Sequence, residues 1–159
     1  MPILLYRVDE RLIHGQVVVG WGSQLRPDRY LVVDALLANS AWEQELYTLG
    51  VPERTKVEFV DPETARRELP GWRESTLRSA LLTRDIPTML ELARGGTLKG
   101  ENLNLGGLHL RKGRVEALPY LFLDETDRVT LRELAKEGVE ISAQDLPGSP
   151  KVTLGSLLG

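Results

Sequence analysis

The residues with the clearest chemical potential lie close together near the start of the chain. The segment Arg7–Gln16 reads RVDERLIHGQ and contains two arginines, two carboxylates and His14, one of only two histidines. A neutral imidazole has an unperturbed pKa near ~6.5 and offers a free nitrogen lone pair at pH 7. A guanidinium group donates two parallel hydrogen bonds to a phosphoryl group and keeps its charge. This combination favours a histidine that accepts a phosphoryl group.

Each neighbour of His14 has a candidate role in that chemistry. Arg11 can reach the same anion from the loop, and Arg7 can do so from the end of the preceding strand. Asp9 or Glu10 can hold the arginines or orient the imidazole by accepting its second N–H. The alternative is a solvated loop of ion pairs in which the histidine is only a surface residue or a helix cap. Residue types and spacing alone leave both interpretations open.

The elements on either side of this segment should place it at an edge of a sheet. The apolar run Ile3–Val8 is typical of a central parallel strand, and a helix is predicted from about Gly15 to Gln24. In an open α/β sheet, ligands bind where strands end and helices begin. The first N–H groups of a helix attract an anion there, so the amides of Gly15 and Gln16 are candidate phosphate ligands.

The rest of the chain alternates between predicted strands and predicted helices, which indicates a three-layer α/β/α fold around a parallel or mostly parallel sheet of about six to seven strands. Ser40, Asp61 and Asp124 are predicted to cap helices. We expect one domain over residues 1–159, in which the sheet ends near Pro147 and residues from about 147 to 159 form a tail. The further predicted strands are Tyr30–Val33, Lys56–Val60, Ser79–Leu82, Leu103–Leu105, Leu118–Leu123 and Val139–Ala143.

Composition excludes several classes of function. The net charge of −3 argues against a nucleic-acid partner, and no apolar run reaches the ~18 residues that a membrane span needs. No secretory signal is recognisable, and the absence of cysteine fits a cytoplasmic protein without disulfides or thiolate chemistry. His14, His109 and Asp9 lack the spacing of a metal site, so we expect no metal and no cofactor.

Two further segments follow predicted strands. The glycines of Gly106-Gly107-Leu108-His109 favour a tight turn with His109 in an exposed loop, although the segment can also reach the phosphate. Arg84 is equally compatible with a contact to the phosphate or to a partner and with an ordinary position at the start of a surface helix.

The run RVDERLIHGQVVVGW resembles the signature of the IIB components of the mannose-type (mannose, fructose and sorbose) sugar phosphotransferase system, in which it surrounds the phosphorylated histidine. The resemblance covers nearly the whole chain. It continues through Leu31–Asp34, Leu81–Arg84, Met89–Leu92, Asn104–Leu108 and Leu134–Ile141, and the family often has a basic residue where Arg84 stands.

This resemblance implies a protein-N(pi)-phosphohistidine–sugar phosphotransferase with the sorbose-type IIB fold. His14 would take the phosphoryl group on Nδ1 from a phosphorylated IIA partner and pass it to a sugar held by a IIC/IID permease, on the inner face of the membrane. Arg11 and Asp9 would assist, and Arg7, Gly15, Gln16 and Arg84 would bind the phosphate. The sugar and the role of Asp34 are not readable, and a homodimer stays open.

Two other functions fit the same residues less well. One is a regulatory module that is phosphorylated on His14 without a sugar permease. The other is a phosphate-binding or hydrolase-like protein that uses the same loop.

Overall fold

A seven-stranded sheet forms the centre of the fold in this computed structural model, which describes residues 2–159. The strand order is β3-β2-β4-β1-β5-β8-β9, and every neighbouring pair is parallel except β8 and β9. The predicted mostly parallel sheet is therefore confirmed. Its strands are β1 (Ile3–Val8), β2 (Arg29–Val33), β3 (Lys56–Val60), β4 (Ser79–Thr83), β5 (Asn102–Leu105), β8 (Glu140–Ala143) and β9 (Val152–Thr153).

Helices cover both faces of this sheet and complete the three layers. A π-helical segment, Gln16–Trp21, continues into α1 (Gly22–Leu25) and shares one core with α2 (Ala41–Thr48). On the opposite face lie α3 (Pro62–Glu74), α4 (Ile86–Ala93), α5 (Glu125–Lys136) and α6 (Leu154–Leu158). Burial from both sides explains why β1 and β2 read as continuous apolar runs.

Two of the three predicted helix caps are present. Asp61 accepts a hydrogen bond from the amide of Thr64 at 2.7 Å, with Pro62 in the first turn of α3. Asp124 and Asp127 form a reciprocal capping box at the start of α5. The helix predicted after Ser40 is present, since α2 begins at Ala41. The predicted capping box is wrong, because the Ser40 side chain makes no capping hydrogen bond.

The predicted strand Leu118–Leu123 is also wrong. Its residues belong to β6 (Val115–Leu118) and β7 (Leu121–Leu123), an antiparallel hairpin outside the main sheet. Pro119, at the turn between them, lacks the N–H that a continuous strand would have to donate.

The chain after Pro147 is not an appended tail. β9 pairs antiparallel with β8, and Leu157 of α6 is buried in the core that α3, α4 and α5 share. The physical reason is that β8 would otherwise expose an unpaired edge, which proteins commonly cover.

The strand register brings the predicted functional segments to one edge. Val8 of β1 is level with Thr83 of β4 and Leu105 of β5, and Val33 of β2 is also level with Thr83. The residues that directly follow these strand ends are Asp9, Arg84, Gly106 and Asp34.

Candidate functional site

The loop between β1 and the first helical segment is shaped by Asp9 and Leu12. The Asp9 carbonyl oxygen accepts a hydrogen bond from the Leu12 amide at 2.9 Å, and its carboxylate accepts one from the Arg11 amide at 3.1 Å. Leu12 adopts a left-handed backbone conformation, with φ at 57°, that costs an L-residue roughly 1–2 kcal/mol. Full burial of the Leu12 side chain offsets that cost and holds the loop in this shape.

The two ring nitrogens of His14 have different surroundings. Nε2 is buried and lies 3.2 Å from Oδ2 of Asp9, off the line of an ideal hydrogen bond. Nδ1 accepts a long hydrogen bond of 3.3 Å from the Gln16 amide. An imidazole nitrogen that faces a carboxylate carries the proton, and the other nitrogen then keeps its lone pair. Nδ1 is therefore the ring nitrogen that keeps its lone pair.

Asp9 is fully buried and remains ionised. Burial by itself raises the pKa of this carboxyl group. The contact with Nε2 of His14, the charge of Arg7 and the hydrogen bond from the Arg11 amide outweigh burial and hold the pKa of Asp9 well below its ordinary value. A buried carboxylate that stays charged can stabilise positive charge on the neighbouring imidazole.

Arg7 lies beneath Asp9, with its side chain fully buried. Its Nη2 atom is 3.0 Å from Oδ2 of Asp9 and 3.2 Å from the Asp145 carbonyl oxygen. Its Nη1 atom donates to the Asn104 side chain and, at 2.9 Å, to the Gln144 carbonyl oxygen. The position at the strand end predicts a phosphate ligand, but the structure directs this guanidinium into the interior, where it supports Asp9.

Arg11 is oriented by protein contacts and remains open to solvent. Its Nε atom is 3.3 Å from Oδ1 of Asp9 and its Nη2 atom is 3.0 Å from the Gln16 side-chain oxygen, while 39% of the side chain is exposed. Gly15 precedes the first helical residue, and a Cβ atom added to it would meet nothing within 4 Å. Arg11 is therefore accessible to an anion from solvent, and Gly15 presents no side chain that would block its approach.

Gly106 and Gly107 are required by space, and the tight turn that the sequence predicts at these two residues is absent. Neither has a positive φ. A Cβ atom on Gly106 would lie 2.6 Å from Oδ2 of Asp9, and one on Gly107 would lie 3.2 Å from Nη2 of Arg11. The Gly107 amide also donates to Asp9 at 3.3 Å. These glycines let β5 end directly against the charged cluster.

His109 and His14 contact different carboxylates, Glu10 and Asp9 respectively. The His109 side chain is exposed, as predicted, and its Nδ1 atom is 2.8 Å from a Glu10 oxygen. The same carboxylate pairs with Arg111 and lies 3.6 Å from Arg114. Glu10 therefore anchors the loop after β5 and does not orient His14.

Arg84 is held by Asp34 at the ends of β4 and β2. Its Nε atom is 3.3 Å from Oδ1 of Asp34, whose other oxygen accepts a hydrogen bond from the Leu37 amide at 2.9 Å. The side chain is 36% exposed and lines a surface cavity together with Ile13. The structure thus separates Arg84 from the Asp9 cluster but keeps it near the same loop.

Several supporting residues are not recognisable from sequence reasoning. Asn104 belongs to the segment Asn104–Leu108, whose resemblance to the family gives Asn104 no particular role, while Gln144 and Asp145 act through carbonyl oxygens that any residue could supply. Trp21 donates to the Asp145 carbonyl at 2.8 Å and stacks 5.4 Å from the Arg7 guanidinium, although its sequence position suggests only packing.

Two general features of the described residues bear on function. Within residues 2–159, no group of three or more His, Cys, Asp or Glu side chains is placed to hold a metal ion. No helix in that range is long and apolar enough to cross a membrane.

Comparison with known proteins decides the family. The profile described as the PTS system sorbose subfamily IIB component matches residues 3–159. The chain belongs to this family. The N-acetylgalactosamine-specific phosphotransferase enzyme IIB component 1 of Escherichia coli K12 is 31% identical to this IIB chain over 152 residues, which cover 94% of each protein. The mannose-specific EIIAB component of Escherichia coli K12 is 28% identical over 99% of this chain and 49% of its own length.

A solved structure agrees with this assignment. The IIBSor domain of the sorbose permease from Klebsiella pneumoniae superposes with a TM-score of 0.86, at 28% identity, over 99% of this chain and 96% of that one. This IIB chain is therefore a phosphotransfer component of the phosphotransferase system with the sorbose-type IIB fold.

Proposed function

We propose that this IIB protein accepts a phosphoryl group on Nδ1 of His14 from a phosphorylated IIA partner and passes it to a sugar held by a IIC/IID permease. The observation that carries the proposal is the asymmetry of His14. Nε2 is buried against the ionised carboxylate of Asp9, which leaves Nδ1 with a lone pair at the start of a helical segment.

The transfer step follows from this arrangement. The Nδ1 lone pair attacks phosphorus while the bond from phosphorus to the donor histidine breaks, and that electron pair returns to the donor nitrogen. Positive charge develops on the His14 ring as the new bond forms. Asp9, 3.2 Å from Nε2, stabilises that charge because its low pKa keeps it ionised. In the second step a sugar hydroxyl oxygen attacks phosphorus and its proton is released. The bond from phosphorus to Nδ1 breaks, and its electron pair returns to Nδ1.

The groups around Nδ1 supply opposite charge for the phosphoryl oxygens. Arg11 is a partly exposed guanidinium within the loop, and the amides of Gly15 and Gln16 lie at the start of the helical segment. The Gln16 amide now donates to Nδ1 and is free to donate to a phosphoryl oxygen once that nitrogen is bonded. Arg7 acts as a positioning residue through Asp9. Binding has to stay moderate, since a phosphoryl group held too tightly would not be passed on.

The relatives support the two partners. The mannose-specific EIIAB protein, by its name, combines A and B components, and this chain matches about half of its length. The regulatory alternative is not favoured, because this chain matches sugar-specific IIB components over nearly their whole length. Contact with a permease would bring this IIB protein to the inner membrane surface during transfer.

The test is a loading and chase experiment. We incubate the wild type, His14→Ala and His109→Ala with phosphorylated IIA and map the acid-labile phosphate by mass spectrometry. We expect label on His14 alone, lost only in His14→Ala. Label on His109, or labelling that survives in His14→Ala, would contradict the proposal.

The chase separates transport from regulation. Labelled phosphoprotein is mixed with permease membranes and with N-acetylgalactosamine, sorbose or mannose, the sugars in the names of the relatives. We expect sugar phosphate in at least one mixture. Efficient loading followed by stable phosphoprotein in every mixture would support the regulatory function instead.

A further inference from the structure

An exposed apolar surface lies directly beside His14. Ile13, the residue before His14, lines a cavity of about 430 Å³ together with Trp42, Leu46 and Tyr47 of α2, and Arg84 forms part of its wall. Trp42 is 65% exposed and Leu46 is 58% exposed. We call this surface the Trp42 face.

Folding of the chain does not account for the Trp42 face. Tyr47 is the residue of α2 that packs against the core on this side of the sheet, whereas Trp42 and Leu46 point outward. An exposed tryptophan beside a second apolar side chain is more typical of an interaction surface than of a solvent-facing helix, since tryptophan is enriched among the residues that dominate binding energy. The Trp42 face therefore has the composition of the centre of a protein interface.

The position of the face restricts what can cover it. The His14 side chain is only 15% exposed, so an incoming phosphoryl group has to be brought down to a recessed nitrogen. Any folded protein that does this must rest on the surface around the recess, and the Trp42 face includes Ile13, the residue that precedes His14 in the chain.

We propose that the Trp42 face binds the phosphorylated IIA partner while that partner delivers its phosphoryl group to His14. This inference rests on the proposed function and assigns a surface to its first step. In that step both reacting atoms belong to side chains of folded proteins, so two protein surfaces have to meet and stay in register. In the second step the phosphoryl group is already on His14, so the permease brings an uncharged sugar hydroxyl and no negatively charged phosphohistidine to this surface.

Charge around the face agrees with this occupant. Arg84 and Glu43 both line the cavity, and Arg11 lies in the His14 loop. The two arginines are each more than a third exposed, and they suit a partner whose histidine carries roughly −1.5 to −2 of charge as phosphate. A second copy of this chain fits less well. It would bring the same arginines into a symmetric interface and would cover His14 against its partners.

The test measures His14 loading as a function of phospho-IIA concentration. The donor is whichever mannose-family IIA protein phosphorylates the wild type fastest. The variants are Trp42→Ala and Leu46→Ala, and the matched control is Val129→Ala, an exposed aliphatic change on α5 at the opposite face of the sheet. All four proteins are first compared by circular dichroism to establish that they are folded.

We expect Trp42→Ala to raise the KM for phospho-IIA about tenfold, because loss of a central interface tryptophan typically costs at least that much affinity. Leu46→Ala should raise the KM less, and Val129→Ala should leave it unchanged. The kcat at saturating donor should stay within about twofold for all three, since none of these residues is in the phosphate site.

Other outcomes would overturn the assignment. A KM for Trp42→Ala equal to that of the wild type would do so. So would normal loading of Trp42→Ala with loss of transfer to sugar, which would make the permease the occupant. A wild-type dimer that Trp42→Ala dissociates, with loading unchanged, would make a second copy the occupant. Failure of the wild type to load on His14 would remove the proposed function itself, which these results distinguish.

Discussion

Replacing Gly106 by alanine tests whether the close packing of the end of β5 against the Arg7–Asp9 pair contributes to stability and to loading of His14. The added Cβ atom would lie 2.6 Å from Oδ2 of Asp9 and 2.5 Å from Cζ of Arg7. Ordinary contacts between such atoms are about 3.5–4.0 Å long, so the overlap is about 1 Å. Both side chains are fully buried and already hydrogen-bonded, which leaves neither of them free to move away.

The size of the effect follows from the two ways of relieving that overlap. If the surroundings shift while the pair stays together, overpacking costs about 1–3 kcal/mol. If Asp9 and Arg7 separate, the loss approaches the ~3–5 kcal/mol of a broken buried ion pair. We therefore expect Gly106→Ala to lower the free energy of unfolding by about 3 kcal/mol, which corresponds to about 6–12 °C in Tm for a chain of this size. Displacement of Asp9 should also slow loading of His14.

Urea unfolding and the initial rate of loading measure the two effects. The control is Gly148→Ala, at a loop position where an added Cβ atom would meet nothing within 4 Å and where φ is not positive. The control should match the wild type in both measurements. If Gly106→Ala is as stable as Gly148→Ala and is loaded at the same rate, the close contact of β5 with the Arg7–Asp9 pair contributes neither to stability nor to loading, and the prediction is wrong.

Two further predictions concern the charged groups around His14. Arg11→Ala should slow loading of His14 by roughly 10²–10³, as expected when one preorganised donor is lost, and Arg11→Lys should restore only part of the rate. Equal rates for Arg11→Ala and the wild type would exclude Arg11 from the mechanism. Asp9 has a lowered pKa in the folded protein, so its contribution to stability is complete above the ordinary carboxyl pKa of about 4 and is lost as the pH falls from there towards the lower folded value. Asp9→Asn should therefore be less stable than the wild type at pH 7 and should lose less stability between pH 5 and pH 3 in urea titrations. If the stabilities of the two proteins change in parallel with pH, protonation of Asp9 does not contribute to the pH dependence of stability.

The sequence by itself determines the fold class and predicts the reactive residue. Continuous apolar runs separated by helical segments specify a parallel sheet buried on both faces, and six of the seven strands of the observed sheet run parallel, in agreement with that expectation. Arg7–Gln16 is a local motif whose ten residues are contiguous, so its position between β1 and a helical segment can be read without knowledge of the remaining chain. The same locality explains the success at Asp61 and Asp124, where a cap depends on residues within one turn of the helix.

Other expectations failed where distant segments compete. Residues 115–123 form a separate hairpin, and residues 152–158 complete the edge of the sheet and its core, because pairing depends on which neighbour is available in three dimensions. The role of Arg7 is of the same kind. Types and spacing indicate a cation near the phosphate, but only the tertiary structure brings Asn104 and the carbonyl oxygens of residues 144 and 145 around it.

The sequence locates His14 but not the residues that surround it, and this difference has a physical cause. Chemical identity and helix position are properties of neighbouring residues, so the sequence alone determines that a histidine stands beside an arginine at the start of a helical segment. Which nitrogen of that histidine reacts depends on the atoms that bury the other nitrogen. Asp9 is held against Nε2 by Arg7 and by the Gly107 amide, which lies in the loop after β5, about a hundred residues away in the chain. Such contacts form only when the chain is folded, and only the tertiary structure could decide them.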